Sequence, residues 1–347
     1  MSLLTSLISH QIWLQRAASG EVKDLAPFIQ EMRDEIKRQV LLFGDDGRST
    51  ARLNKLLRDL EEALTGLTGD WQTKLTEDLK ELAVYEAEWN VKTLTANVNA
   101  EFVTPTAEQV WAAAEFQPLS LSDKPVDFTK LMSGWGETEV SRLVTGVKMG
   151  FVQGQTTRQI VKNVVGAGGL ADISERNAAT VIRTALSHVS NEARNETYRQ
   201  NDGIIEKYEW VSTLDSRTST ICRSRDGMTW EIGKGPMPPA HPNCRSCTAP
   251  VISSEFDFLD KGAKRAAKGA DGGTQVSADT TYYEFLKQQP AWFQDQALGP
   301  VRGKIFRNSG ISPEEFRVIS VDGFGNPLTL KQMAELDKRV ADYLKGE

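Results

Sequence analysis

The sequence predicts an α+β, mostly α-helical protein, with a helical N-terminal module followed by a small α+β module that carries a Cys/His loop region. Two observations predict this. Apolar residues recur at i, i+3, i+4 and i+7 through most of the first two hundred positions, the period of a helix buried along one stripe. After Asn201-Asp202-Gly203 the period changes to a β-branched, aromatic, roughly alternating run, and Cys222, His241, Cys244 and Cys247 follow close behind.

The elements follow in order. Leu53, Leu56, Leu57, Leu60 and Leu64 put one buried stripe on a helix from Arg52 to Leu64. Trp71, Leu75, Leu79, Leu82 and Trp89 put another on a longer helix over Thr68 to Asn97, and Gly44-Asp45-Asp46-Gly47 ends the helix before both. The charged faces read as the solvated surface of a bundle, with docking onto a partner as the other reading. Pro105, Pro118 and Pro125 interrupt any long helix between Thr104 and Lys130, which marks a boundary. Val140, Leu143, Val144, Val147 and Phe151 then restore the helical period up to Gly150 and Gly154, and a short helix follows over Gln155 to Val165. Gly166-Ala167-Gly168-Gly169 lacks the Lys-Ser/Thr of a phosphate-binding loop and reads as punctuation. Asp172 and Glu175 have the spacing of a capping box, opening a helix that runs to about Arg199 with Ile182, Leu186, Val189 and Ala193 inward.

Ile204 to Val211 reads as a strand, and Ala249 to Ile252 as a second strand pairing back. Residues 256–281 read as a flexible linker. The last segment holds the aromatic anchors Tyr282, Tyr283, Phe285, Trp292 and Phe293 and closes with an amphipathic helix from Leu330 to Leu344. The expected domains are therefore 1–104, 131–255, the linker 256–281, and 282–347.

Composition narrows the function classes. The chain has 347 residues, 39% hydrophobic and 25% charged, with 41 basic against 47 acidic side chains and a net charge of −6. That suits two or three packed domains at about 150 residues each. It argues against a histone-like DNA binder. No apolar run reaches the roughly 18 residues of a spanning helix, and the N-terminus lacks the basic start of a secretory signal. Three cysteines are no disulfide framework, so a reducing compartment is expected.

Three thiols and one imidazole, Cys222, His241, Cys244 and Cys247, allow a closed Cys₃His zinc site, although only one Cys-x-x-Cys is present. The alternative is that Asp215, Arg217, Asp226, His241 and Asn243 stitch the loops by hydrogen bonds around cysteines that act as small buried apolar groups. A catalytic reading needs Cys222 or Cys244 in contact with His241, oriented by Asp215 or Asp226. A DNA-binding reading draws on Arg217, Arg223, Arg225 and Arg245. His10 and His188 sit on helical patterns and read as core or surface histidines. Asp45-Asp46 and Glu61-Glu62 read as solvated charge rather than Mg²⁺ ligands.

Trp210, then Asp215-Ser216-Arg217-Thr218, Cys222, Asp226-Gly227, and Pro238-Pro239-Ala240-His241-Pro242-Asn243-Cys244-Arg245 occur in the order of a known pattern. This run resembles the head-morphogenesis, or minor head protein, family of tailed bacteriophages that includes the Mu protein F. Arg183-Thr184 and Asn191-Glu192-Ala193-Arg194 resemble that family's lead-in, so the resemblance covers about 135–252. Phe285-Leu286-Lys287-Gln288-Gln289-Pro290 with Leu298-Gly299 and Arg302-Gly303 is similar to a tail segment of phage minor head proteins. The family pattern carries a further cysteine near the place of Arg225, which argues against a four-cysteine site. The resemblance implies a non-enzymatic structural protein of the phage head, associated with the portal or major capsid protein near the portal vertex and acting in head assembly, DNA packaging or ejection. It implies a place in the virion and, during assembly, in the host cytoplasm, with DNA as a further partner and neither a membrane nor a small-molecule substrate. The rivals are a Cys/His hydrolase of head maturation and a zinc-stabilised DNA-binding module.

Overall fold

Helical spacing of apolar residues builds the first half of the molecule in the computed structural model, which describes residues 3–45, 49–98, 100–121, 124–252 and 262–346. Helices α1 (Leu3–Asp24) and α2 (Ala26–Phe43) meet at buried Leu25. Helix α3 (Thr50–Asn97) is a single 48-residue rod, about 70 Å long at the usual rise, started by Ser49, whose hydroxyl accepts from the Arg52 N–H. The sequence predicts two helices here. They fuse because Leu60, Leu64, Thr68, Trp71, Leu75 and Leu79 keep one buried stripe in phase across the intervening glycines. Of the predicted break at 44–47, Gly44 ends α2, the Asp45 carboxylate accepts from the Thr157 backbone N–H, and Asp46 and Gly47 lie outside the described residues.

The proline-marked stretch is not a spacer. It holds α4 (Ala107–Phe116), capped by Thr106 and Gln109, and the hairpin β1 (Leu119–Leu121) and β2 (Lys124–Val126). Val110 and Ala114 of α4 belong to the same apolar core as α2, α3, α5 (Phe128–Val152), α6 (Thr157–Val165) and α7 (Leu170–Arg199). The expected boundary between 1–104 and 131–255 therefore does not separate two cores.

Helix α7 starts two residues before the expected cap. Asp172 instead accepts from the Gly168 backbone N–H and pairs with Arg33, both at 2.6 Å. From Thr184 to Tyr198 every residue of α7 is buried, polar ones included, because helices surround it on one side and a sheet on the other. Within this pillar Arg194 reaches Glu86 (3.3 Å), which also bonds His10, and His10 stacks on Trp89 at 3.7 Å. His188 gives its Nε2 hydrogen to the Ala114 carbonyl, and burial depresses its pKa to about 4.

The predicted strands form as expected. The sheet contains β3 (Ile205–Val211), flanked antiparallel by β4 (Thr229–Glu231) and β5 (Cys247–Ile252), with α8 (Thr220–Arg225) between β3 and β4 in the chain. Pro250, which has no N–H to donate, sits on the edge strand β5. Where a flexible linker is expected over 256–281, residues 264–277 form an antiparallel hairpin of β6 (Lys264–Gly269) and β7 (Gly272–Ser277), whereas 256–261 lie outside the described residues. The hairpin packs because Arg265 is buried against the sheet and the Lys268 N–H donates to the Leu214 carbonyl.

The last segment is helical: α9 (Tyr282–Lys287), α10 (Ala291–Leu298), α11 (Pro300–Asn308), α12 (Pro313–Ile319), α13 (Leu330–Leu336) and α14 (Lys338–Gly346). Tyr282, Tyr283, Phe285 and Phe293 form its own core with Phe306 and Phe316, and of the expected anchors only Trp292 is largely exposed. The expected closing helix is broken at Asp337, whose carboxylate accepts from the Arg339 backbone N–H and restarts the chain as α14.

Candidate functional site: a Cys/His loop cluster

Two buried carboxylates organise the loops between β3 and β5. Asp215 accepts a fork of hydrogen bonds from Arg245 (2.5 and 2.9 Å), plus the Arg217 backbone N–H and the Thr218 hydroxyl. Burial alone would raise the Asp215 carboxyl, but the Arg245 guanidinium outweighs it and holds the group below the ordinary carboxylate range. The Tyr282 hydroxyl donates to the Asp215 carbonyl at 2.7 Å, which ties the loop to the C-terminal helices. Asp226 accepts from the Ser212 N–H at 2.7 Å and from both Arg265 Nη atoms at 3.0 and 3.1 Å. Gly227 takes the positive φ of the following turn and donates its N–H to the Trp210 carbonyl.

Trp210 is fully buried in a small cluster with Cys222, Ala240 and Cys244, and its Nε1–H donates to Ser212. The Arg225 guanidinium lies over the Trp210 ring, 5.1 Å from its centre. On the second loop Asn243 adopts φ +57°, tolerated by asparagine, and its backbone N–H donates to Thr184 of α7. Its side-chain Nδ2 donates to Thr180 (3.2 Å), so this loop is clamped to the central helix.

The clamp brings three of the four predicted ligands together. Cys222 Sγ lies 3.3 Å from His241 Nε2 and 3.6 Å from Cys244 Sγ, and the three ligand atoms all fall within 4.8 Å of one another. His241 Nδ1–H donates to the Pro242 carbonyl at 2.9 Å, which turns Nε2 toward the sulfurs. Cys222 is held protonated by its hydrogen bond to Cys244 and by burial, whereas Cys244 is favoured as the thiolate by the Cys222 hydrogen bond and by His241. Cys247, the fourth predicted ligand, is not in this group. It lies in β5, where burial raises its thiol although Arg194 is beside it.

The other predicted residues divide. The Arg217 side chain is 77% exposed and 3.8 Å from Asp215, so it contributes a backbone N–H to the stitching while Arg245 supplies the charge. The arginines of the window form no single exposed patch: Arg223 is buried and donates to the Ala297 carbonyl, Arg225 covers Trp210, and Arg245 is held by Asp215. Cys222 and His241 touch, as a thiol catalyst requires, but Cys222 is 1% exposed and both aspartates are bound to arginines. Arg265, Tyr282 and Thr180 are site residues that the sequence does not reveal. The one available signal for Arg265 was that a buried Asp226 demands a cation from somewhere.

Residues 141–249 match the family model described as Phage Mu protein F like protein, a span running from within α5 to β5 that includes both loops. No curated protein and no solved structure matches the chain. Among the described residues no helix is long and apolar enough to cross a membrane.

Proposed function

Because the chain carries a Phage Mu protein F-like domain at 141–249, we propose that it is a structural minor head protein of a tailed bacteriophage. In this reading it joins the head during assembly in the host cytoplasm, associates with the portal or the major capsid protein, and remains in the virion near the portal vertex. The match, lying over the intact Trp210 to Arg245 motif, is the observation that carries the reading. The arrangement of the motif supports a structural role, since Asp215, Asp226 and Asn243 join loops to one another and to α7 rather than facing an open reaction centre.

The binding surface we favour is on the C-terminal segment, where Trp292 of α10 (58%) and Phe324 in the turn between α12 and α13 (83%) stand exposed outside its core. Two measurements test the proposal. Quantitative mass spectrometry of purified full and DNA-free particles should find the chain in both at a fixed ratio to the portal protein. Co-expression with the portal protein should give co-purification that Trp292→Asp combined with Phe324→Asp weakens at least tenfold while the fold survives. Absence from both kinds of particle would sink the reading. The Cys222–His241 contact favours one rival, a thiol hydrolase of head maturation, which a thiol-reactive substrate probe labelling Cys222 in the native chain would support.

A further inference from the structure

The structure assigns Cys222, His241 and Cys244 as a three-ligand site for a soft divalent cation, zinc by preference, with its fourth position open to a donor from solution. This assignment is independent of the head-protein reading. It differs from the closed Cys₃His site that the ligand types alone allow.

Two of the three separations fit the edges of a coordination tetrahedron, and the third lies within 4.8 Å. With Zn–S of about 2.3 Å and Zn–N of about 2.0–2.1 Å, tetrahedral angles place sulfurs about 3.8 Å apart and sulfur and nitrogen about 3.6 Å apart. The observed 3.6 and 3.3 Å fall a little inside those edges, within reach of side-chain adjustment. The imidazole is also set as a ligand. Its Nδ1–H is held by the Pro242 carbonyl, the backbone bond that fixes the tautomer and the ring orientation of metal-binding histidines. Charge points the same way. Two thiolates and one divalent cation sum to zero, which suits sulfurs that are almost completely buried.

The fourth position follows from what is missing around the three. Among the described residues no other cysteine, histidine, aspartate or glutamate places a ligand atom in the group. Cys247 is kept out by its strand: it pairs with Val211 in the β3–β5 ladder and neighbours Arg194. His241 and Cys244 instead line a cleft of about 590 Å³ whose walls include Arg183, Arg217 and Arg245. A water molecule, or a small anion drawn by those guanidinium groups, completes the tetrahedron.

The test uses the full chain, expressed in zinc-supplemented medium and freed of loose metal by desalting. Elemental analysis should give about one zinc per chain, since such sites bind tightly at neutral pH. Cys222→Ser, His241→Gln and Cys244→Ser should each lose most of it, whereas Cys247→Ser keeps it. Because those variants could unfold, cobalt(II) is also titrated into the chelator-treated parent. Its charge-transfer absorption should have the intensity of two thiolate–cobalt bonds, and its visible bands should shift when thiocyanate is added. A parent that retains neither zinc nor cobalt overturns the assignment, as does loss of metal in a folded Cys247→Ser variant. A cobalt spectrum with three thiolates, or one indifferent to thiocyanate, overturns the open fourth position.

Discussion

Asp226 and Arg265 lie 39 positions apart and join the sheet to a hairpin, with 0% and 2% of their side chains exposed. Removing one partner of such a pair strands the other charge in the interior. Asp226→Ala should therefore cost about 3–5 kcal/mol in urea unfolding, whereas Asp226→Leu combined with Arg265→Met should cost clearly less. Glu192 makes a second prediction, of pH dependence. Its carboxyl is pushed up to about 7, by burial first and by Glu196 to a lesser degree, against the lowering pull of Asn195 and Arg199. The folded chain then holds that proton more tightly than the unfolded chain, so its contribution is fully present below about pH 4.5 and is lost as the pH rises through 7. Glu192→Gln should flatten this fall and be more stable than the parent at pH 8, by up to about 3 kcal/mol in matched denaturation curves. Comparing parent and variant at each pH isolates the effect from His188, which titrates in the overlapping range.

At the scale of elements, the long α3 and the turn before α7 use glycine for opposite reasons. Gly66 and Gly69 are exposed within α3, and a methyl group added at either meets nothing within 4 Å. Gly66→Ala and Gly69→Ala should each raise stability by about 0.5–1 kcal/mol, read from the thermal midpoint. Gly166 ends α6, and a Cβ there would stand 2.4 Å from the Lys162 carbonyl oxygen. Backbone cannot yield as a flexible side chain does, so Gly166→Ala should cost about 1–3 kcal/mol. Gly166-Ala167-Gly168-Gly169 separates α6 from α7, and close backbone approach is the reason for glycine at position 166. The capping signal at Asp172 and Glu175 misleads because the same carboxylate serves equally well as a partner for Arg33, a residue distant in sequence.

For the whole molecule, α7 decides how the parts depend on one another. Its Ile182, Leu186, Val189 and Ala193 share one core with α2 and α3, so the Mu F-like segment leans on the N-terminal helices. A fragment of residues 131–255 should consequently lack a cooperative unfolding transition and be digested by protease far faster than the full chain. Survival of that fragment as a folded, protease-resistant unit would show that the sequence boundary at 104–131 is also a folding boundary. The dependence bears on binding experiments too. Deleting residues 1–104 to test portal association would expose the buried face of α7, so point substitutions at exposed side chains are the cleaner probe.

The sequence by itself determined the helical character of the first two hundred residues, the strand at 205–211 and its partner, and the order of the motif from Trp210 to Arg245, over which the Phage Mu protein F like model matches. These are local signals, because period, turn chemistry and motif order are all written along the chain. Only the tertiary structure decided that α7 is buried on every side from Thr184 to Tyr198, that Arg245 and Arg265 neutralise Asp215 and Asp226, and that Cys247 stands apart from the other thiols. Cys244 and Cys247 are three residues apart, yet one sits in a loop clamped to α7 and the other in a paired strand. Spacing specifies which donors are close in the chain. Strand register and the clamp on Asn243 determine which of them converge in space.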